Sequence, residues 1–111
     1  MDLMDLLPIP LNSATPEDRL REMAWIGDAV LALWARQWLL KREGKMRPEL
    51  FTRLTSNQFL ACFGNPTAVE ARFGEVYLKN GLAEAFLALE RELVPLFEKQ
   101  ELNRGRQRGR V

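Results

Sequence analysis

From Met23 to Ala35 the chain carries a single charge, the carboxylate of Asp28, and places Gly27 beside it. This run constrains the fold more than any other segment. It lies inside a longer stretch with helical patterning and all three tryptophans, bounded by Thr15-Pro16-Glu17-Asp18 and by Gly44. Thr15 suits an N-cap, Pro16 suits the first helical position, and the two acids suit the positive end of the helix dipole. A helix from about residue 15 to Arg42 is the expectation. Glycine costs a helix interior about 1 kcal/mol relative to alanine, so Gly27 calls for a reason. An ionised carboxylate among apolar residues reads as buried or half-buried, which is costly unless it is paired or holds a metal. Two readings stand. Gly27 is a close-packing point with Asp28 satisfied by an arginine or a backbone amide, or Asp28 is kept for chemistry.

Composition narrows the chemistry. The chain has no histidine and one cysteine, Cys62. That removes Ser-His and Cys-His catalysis, histidine acid/base work, an intramolecular disulfide and a thiolate zinc site. A bound metal would need oxygen ligands, which favours Mg²⁺ or Mn²⁺. With 111 residues, one domain with a modest core is expected. No apolar stretch is long enough for a membrane span, and residues 1–10 lack the basic start of a signal peptide. A cytoplasmic protein without membrane partners is the expectation.

The formal net charge is +1, but Arg104, Arg106, Arg108 and Arg110 fall in the last eight residues, and residues 1–103 hold 12 basic and 15 acidic groups. The body is therefore not a broadly basic nucleic-acid binder. Residues 99–111 read as an Arg/Gly-rich disordered tail, of a kind that can touch phosphates with salt-dependent affinity. Residues 1–14, with Pro8 and Pro10, read as an arm that packs its leucines on the body.

Between these ends, residues 15–98 read as one all-α domain of about four main helices. A second helix is expected from near Pro48 to about Phe63, with Leu50, Phe51, Leu54 and Phe59 inward. Gly64-Asn65-Pro66 breaks the chain. A third helix runs from about Thr67 to Lys79, with Val69, Phe73, Val76 and Tyr77 as core candidates and Asn80-Gly81 as its end. The fourth carries Leu82, Phe86, Leu89, Leu93, Leu96 and Phe97, and Pro95 should kink or fray its last turn. Trp34 and Trp38, four apart, share a face and suit a core or a subunit interface.

Glu70 stands in a setting similar to that of Asp28, within Ala68-Val69-Glu70-Ala71. If the first and third helices pack side by side, the two carboxylates can meet and hold Mg²⁺ with water ligands. The alternative for Glu70 is a solvated acid paired with an arginine. Glu22, Glu49 and Glu75 fall at spacings that suit surface roles. Arg47 and Arg53 flank the start of the second helix, where they can contact phosphate or form a solvated face.

At these residues the chain resembles a known family. Ala24-Trp25-Ile26-Gly27-Asp28-Ala29-Val30-Leu31 is similar to the signature helix of ribonuclease III domains, commonly LEFLGDAVL. Residues 69–82, Val69-Glu70-Ala71-Arg72-Phe73-Gly74-Glu75-Val76-Tyr77-Leu78-Lys79-Asn80-Gly81-Leu82, resemble that family's second signature, of the form VEALIGAIYLDGGL. Between them, Met46 to Leu54 resembles its linking helix. Ala24 takes the place of the first signature's glutamate, and Thr67 that of an aspartate three residues before Glu70. Both features, with Arg47-Pro48, resemble the Mini-III branch, which lacks a double-stranded-RNA-binding domain.

The resemblance implies a two-fold homodimer that holds double-stranded or structured RNA in a valley between subunits, recognised by shape and backbone. It implies Asp28 and Glu70 as catalytic residues and Mg²⁺ ligands (Mn²⁺ as a substitute), phosphodiester hydrolysis, and a role in maturation of large-subunit ribosomal RNA. Arg47, Arg53, Arg104, Arg106, Arg108 and Arg110 are the candidate RNA contacts. The chain departs from the family in one place: three residues, Gly64-Asn65-Pro66, stand where relatives carry a substantial segment that lines the site. Two other classes remain open: a non-catalytic RNA- or ribosome-binding dimer on this scaffold, and a helical dimer that mediates protein contacts alone.

Overall fold

In the computed structural model, which describes residues 15–108, every regular element is helical. Helix α1 spans Pro16–Glu43, α2 Pro48–Leu54, α3 Asn57–Leu60, α4 Pro66–Asn80 and α5 Leu82–Arg108, with a 3-10 turn at Ala61–Phe63. The all-α expectation holds for these residues. No helix among them is long and apolar enough to cross a membrane.

Local chemistry sets most of the boundaries. Thr15 Oγ1 accepts a hydrogen bond from the Asp18 amide at 3.1 Å, and Pro16 follows at the first helical position. At the other end of α1, Gly44 takes φ 74° and donates its amide to the Leu40 carbonyl, a left-handed close that an L side chain disfavours. Asn65 caps α4 through its Oδ1, 3.2 Å from the Ala68 amide, ahead of Pro66. Gly81, at φ 92°, ends α4.

The expected single helix from Pro48 to Phe63 is interrupted. Thr55 Oγ1 donates to the Phe51 carbonyl at 2.8 Å and Ser56 Oγ to the Arg53 carbonyl at 2.9 Å. These hydroxyls compete with backbone amides for the last carbonyls of α2. Ser56 then adopts extended backbone, and its Oγ accepts from the Phe59 amide at 3.0 Å, which restarts the helix as α3.

Helix α5 also departs from expectation: it does not end near residue 98 but continues to Arg108, so residues 99–108 are helical rather than a disordered tail. Pro95 lies inside it. A proline there removes one backbone hydrogen bond and crowds the carbonyl four residues earlier. Pro95 faces solvent, so water can reach the freed carbonyl, while Leu93 and Phe97 are fully buried on either side and hold both halves of the helix to the body. Farther along, Glu101 is gripped from α2 by Arg53. The expected N-terminal arm and Arg110 lie outside the described residues.

Helices α1 and α4 make the most extensive contact, α5 packs on both, and the α2–α3 segment closes one end. The core is Leu31, Trp34 and Leu39 of α1, Leu54, Leu60 and Phe59 of the short helices, Phe73 of α4, and Leu89, Leu93 and Phe97 of α5. An aromatic chain ties these elements together: Trp34 stacks on Trp38 at 5.9 Å between centroids, Trp38 meets Phe97 edge-on at 6.1 Å, and Phe97 meets Phe59 at 5.7 Å. A fully buried ring such as Phe97 contributes about 1.5–3 kcal/mol by burial alone. Trp34 is thus core, whereas Trp25 is 79% exposed.

Candidate metal centre at the α1–α4 seam

The site begins with two glycines. A Cβ built on Gly27 would lie 1.8 Å from the Glu70 carbonyl oxygen and 3.0 Å from the Gly74 nitrogen. One built on Gly74 would lie 2.2 Å from the Met23 carbonyl oxygen. The backbones of α1 and α4 are in contact here, and only hydrogen fits at either position. This accounts for Gly27 in the helix interior: its helix-propensity cost is offset by close packing. Gly74, four residues after Glu70, is the matching half that the sequence reading passed over. The equal spacing of Met23-Gly27 and Glu70-Gly74 is the signal that could have revealed it.

The seam brings Asp28 and Glu70 together. Their carboxyl groups lie close enough to interact, although the residues lie on different helices. Partial burial of Glu70, reinforced by the neighbouring Asp28 carboxyl and its charge, raises its pKa to about 7. Two carboxylates close enough for one to raise the other's pKa resist carrying two negative charges.

The expected burial of Asp28 is not observed. Its side chain is exposed, and Glu70 is the half-buried member. The α1 stripe that packs inward runs through Ala24, Gly27, Leu31 and Trp34, and Asp28 falls just outside it. Neither acid is paired with an arginine or lysine among the described residues. Among the described residues, then, no arginine satisfies Asp28 or Glu70.

Beside Asp28 lies an open groove of about 620 Å³ with an apolar wall that includes Trp25, Ala29, Leu33 and Leu82. Trp25, Leu33 and Leu82 are 79%, 42% and 39% exposed, an unusual density of large apolar side chains for a solvent-facing surface.

The other candidate residues are placed elsewhere. Glu75 pairs with Lys79 at 2.5 Å, and Glu49 with Arg47 at 2.5 Å, in keeping with surface roles. Arg47 also reaches Glu43 at 2.8 Å, so it is held between two acids of its own chain. Arg53 is engaged by both oxygens of Glu101, at 2.9 and 2.6 Å. Both arginines are thus occupied structurally, and a phosphate would have to compete with a carboxylate for either. Arg104 and Arg106 are exposed on the last turns of α5, and Arg108 ends that helix.

Two carboxylates that converge without a cation have the donor chemistry for Mg²⁺ or Mn²⁺, which commonly binds through one or two carboxylates and retains several waters. No group of three or more acidic, histidine or cysteine side chains able to hold a metal occurs among the described residues. The donor set therefore fits a largely hydrated ion and not a closed protein cage. No protein-family model, curated protein or solved structure matches this chain.

Proposed function

We propose that this chain is a Mg²⁺-dependent endoribonuclease of the ribonuclease III type that acts as a homodimer on double-stranded or structured RNA, with ribosomal RNA precursors as the substrate class. The observation that carries this reading is the meeting of Asp28 and Glu70, the two acids of the matched signatures, at a seam that no side chain on Gly27 or Gly74 would allow. Such a pair leaves negative charge uncompensated, which is wasteful in a structural role and useful to a divalent cation. Mg²⁺ bound there would lower the pKa of a coordinated water and offset charge on a phosphoryl group. In this reading Asp28 and Glu70 hold and orient the ion.

The homodimer rests on the apolar face of α1. Trp25, Leu33 and Leu82 offer a second copy a surface continuous with the Asp28 groove. A two-fold contact through this face would give the dimer two acid pairs, one for each strand of a duplex.

That no third acid joins the pair among the described residues favours a second reading: a non-catalytic RNA- or ribosome-binding dimer on the same scaffold. The two separate in one experiment. A fully paired RNA is incubated in Mg²⁺ with wild type, Asp28→Asn and Glu70→Gln, with folding checked by circular dichroism. Cleavage by wild type that both substitutions abolish is the expected result. Binding without cleavage, equal in all three proteins, would select the second reading. No binding at all would leave a helical dimer with protein partners.

A further inference from the structure

A second concave site lies at the opposite functional extreme, rich in amides and built by the unexpected continuation of α5. Gln100, Asn103, Arg104 and Gln107 follow one another at i, i+3, i+4 and i+7, so they share one face of the helix. Across from them stands Gln58 of α3. Between lies a groove of about 380 Å³ whose floor is formed by Phe59 and Phe97. Those rings are mutually edge-on at 5.7 Å and buried in the core, so the floor is rigid.

The wall chemistry is selective. Four carboxamides, Gln58, Gln100, Asn103 and Gln107, line the groove. Each carries a donor and an acceptor side by side, the pattern that reads the mixed donor–acceptor edge of a nucleobase, although Gln100 Nε2 also donates to Cys62 Sγ at 3.9 Å. The charges are nearly balanced. Arg53 and Arg104 both reach Glu101, at 2.6 and 3.4 Å, which leaves the three with a net charge of one positive unit. That matches one phosphodiester and not a run of phosphates. Within a paired duplex the Watson–Crick edges are already engaged, and single-stranded ends, loops and bulges are where proteins read RNA bases.

We infer that the groove between α3 and the C-terminal half of α5 binds one unpaired nucleotide of the RNA, its base edge on the carboxamides and its phosphate beside Arg104. This rests on the RNA reading above and adds to it a preference for duplexes flanked by an unpaired residue.

Cys62, the one cysteine of the chain, is exposed and lines the same groove, so its alkylation rate reports occupancy. The rate is measured with maleimide on the full chain, without divalent metal. The probes are a blunt RNA duplex, the same duplex with unpaired ends, and inorganic phosphate. With the unpaired-end RNA at about ten times its half-saturating concentration, alkylation should slow by about tenfold. The blunt duplex and phosphate should leave the rate nearly unchanged, and Asn103→Ala with Gln107→Ala should restore the unprotected rate. Equal protection by both duplexes, protection by phosphate alone, or no protection by any RNA would each overturn the assignment. Cleavage of the blunt duplex in Mg²⁺, run in parallel, keeps the two readings apart. Cleavage without Cys62 protection overturns the groove alone, whereas neither cleavage nor protection overturns both.

Discussion

Helix α1 and the far end of α5 each contain an interior glycine and a nearby acid, yet the two regions use them in opposite ways. Gly27 is pressed against the backbone of α4, whereas nothing lies within 4 Å of a Cβ placed on Gly105. Asp28 meets another acid, whereas Glu101 meets Arg53 and Arg104. At the α5 end, then, the acid is neutralised within the chain with one positive charge to spare, and the glycine has no packing role. At the seam, glycine lets two backbones touch and holds two carboxylates together, with no arginine or lysine paired to them among the described residues. An acid with its own arginines serves the fold. A pair of acids with no such partner among the described residues is destabilised in the fully ionised state, and the proposed function rests on that asymmetry.

The sharpest way to break the comparison is Gly27→Ala. The added methyl would overlap the Glu70 carbonyl, so α1 and α4 must separate. A loss of about 3 kcal/mol or more is expected, read as a drop in the urea midpoint, with the proposed cleavage lost along with the fold. The same change at Gly105 should do the reverse. It places alanine in open space inside a helix and should raise stability by about 0.5–1 kcal/mol. If Gly27→Ala were tolerated as easily as Gly105→Ala, the seam would not be the tight contact described.

A third expected effect concerns pH. Glu70 titrates at about 7 in the folded chain, against an ordinary value of 4.5. A raised pKa means that the folded state holds its proton more tightly than the unfolded state. The associated stability is therefore fully present below about pH 4.5 and is lost as pH rises through about 7. The melting temperature of wild type should fall across that window relative to Glu70→Gln, and Mg²⁺ should restore the difference at pH 8. Parallel profiles for the two proteins would show that the carboxyls do not interact.

Most of the helical framework is legible in the residues, because helix ends are written in local chemistry. Thr15-Pro16, Gly44, Asn65-Pro66 and Gly81 each stop or start a helix through a hydrogen bond or a dihedral that depends on a few neighbours. The same local view misplaced the split at Thr55-Ser56, where two hydroxyls compete for carbonyls that helical periodicity cannot weigh. It also ended α5 too early, since the grip of Arg53 on Glu101 spans 48 positions along the chain.

The candidate site divides along the same line. The sequence by itself determined that any metal here is held by oxygen, since histidine is absent and Cys62 stands alone, and it singled out Asp28 and Glu70 as the acids set among apolar neighbours. Only the tertiary structure decided that the two meet, that Glu70 rather than Asp28 is the half-buried one, and that Arg53 is committed to Glu101. The physical reason is range. Caps, turns and amphipathic stripes are fixed by residues within a turn or two. The separation of two carboxylates on different helices depends on how closely those helices approach, and here that is set by the contact of Gly27 with Gly74.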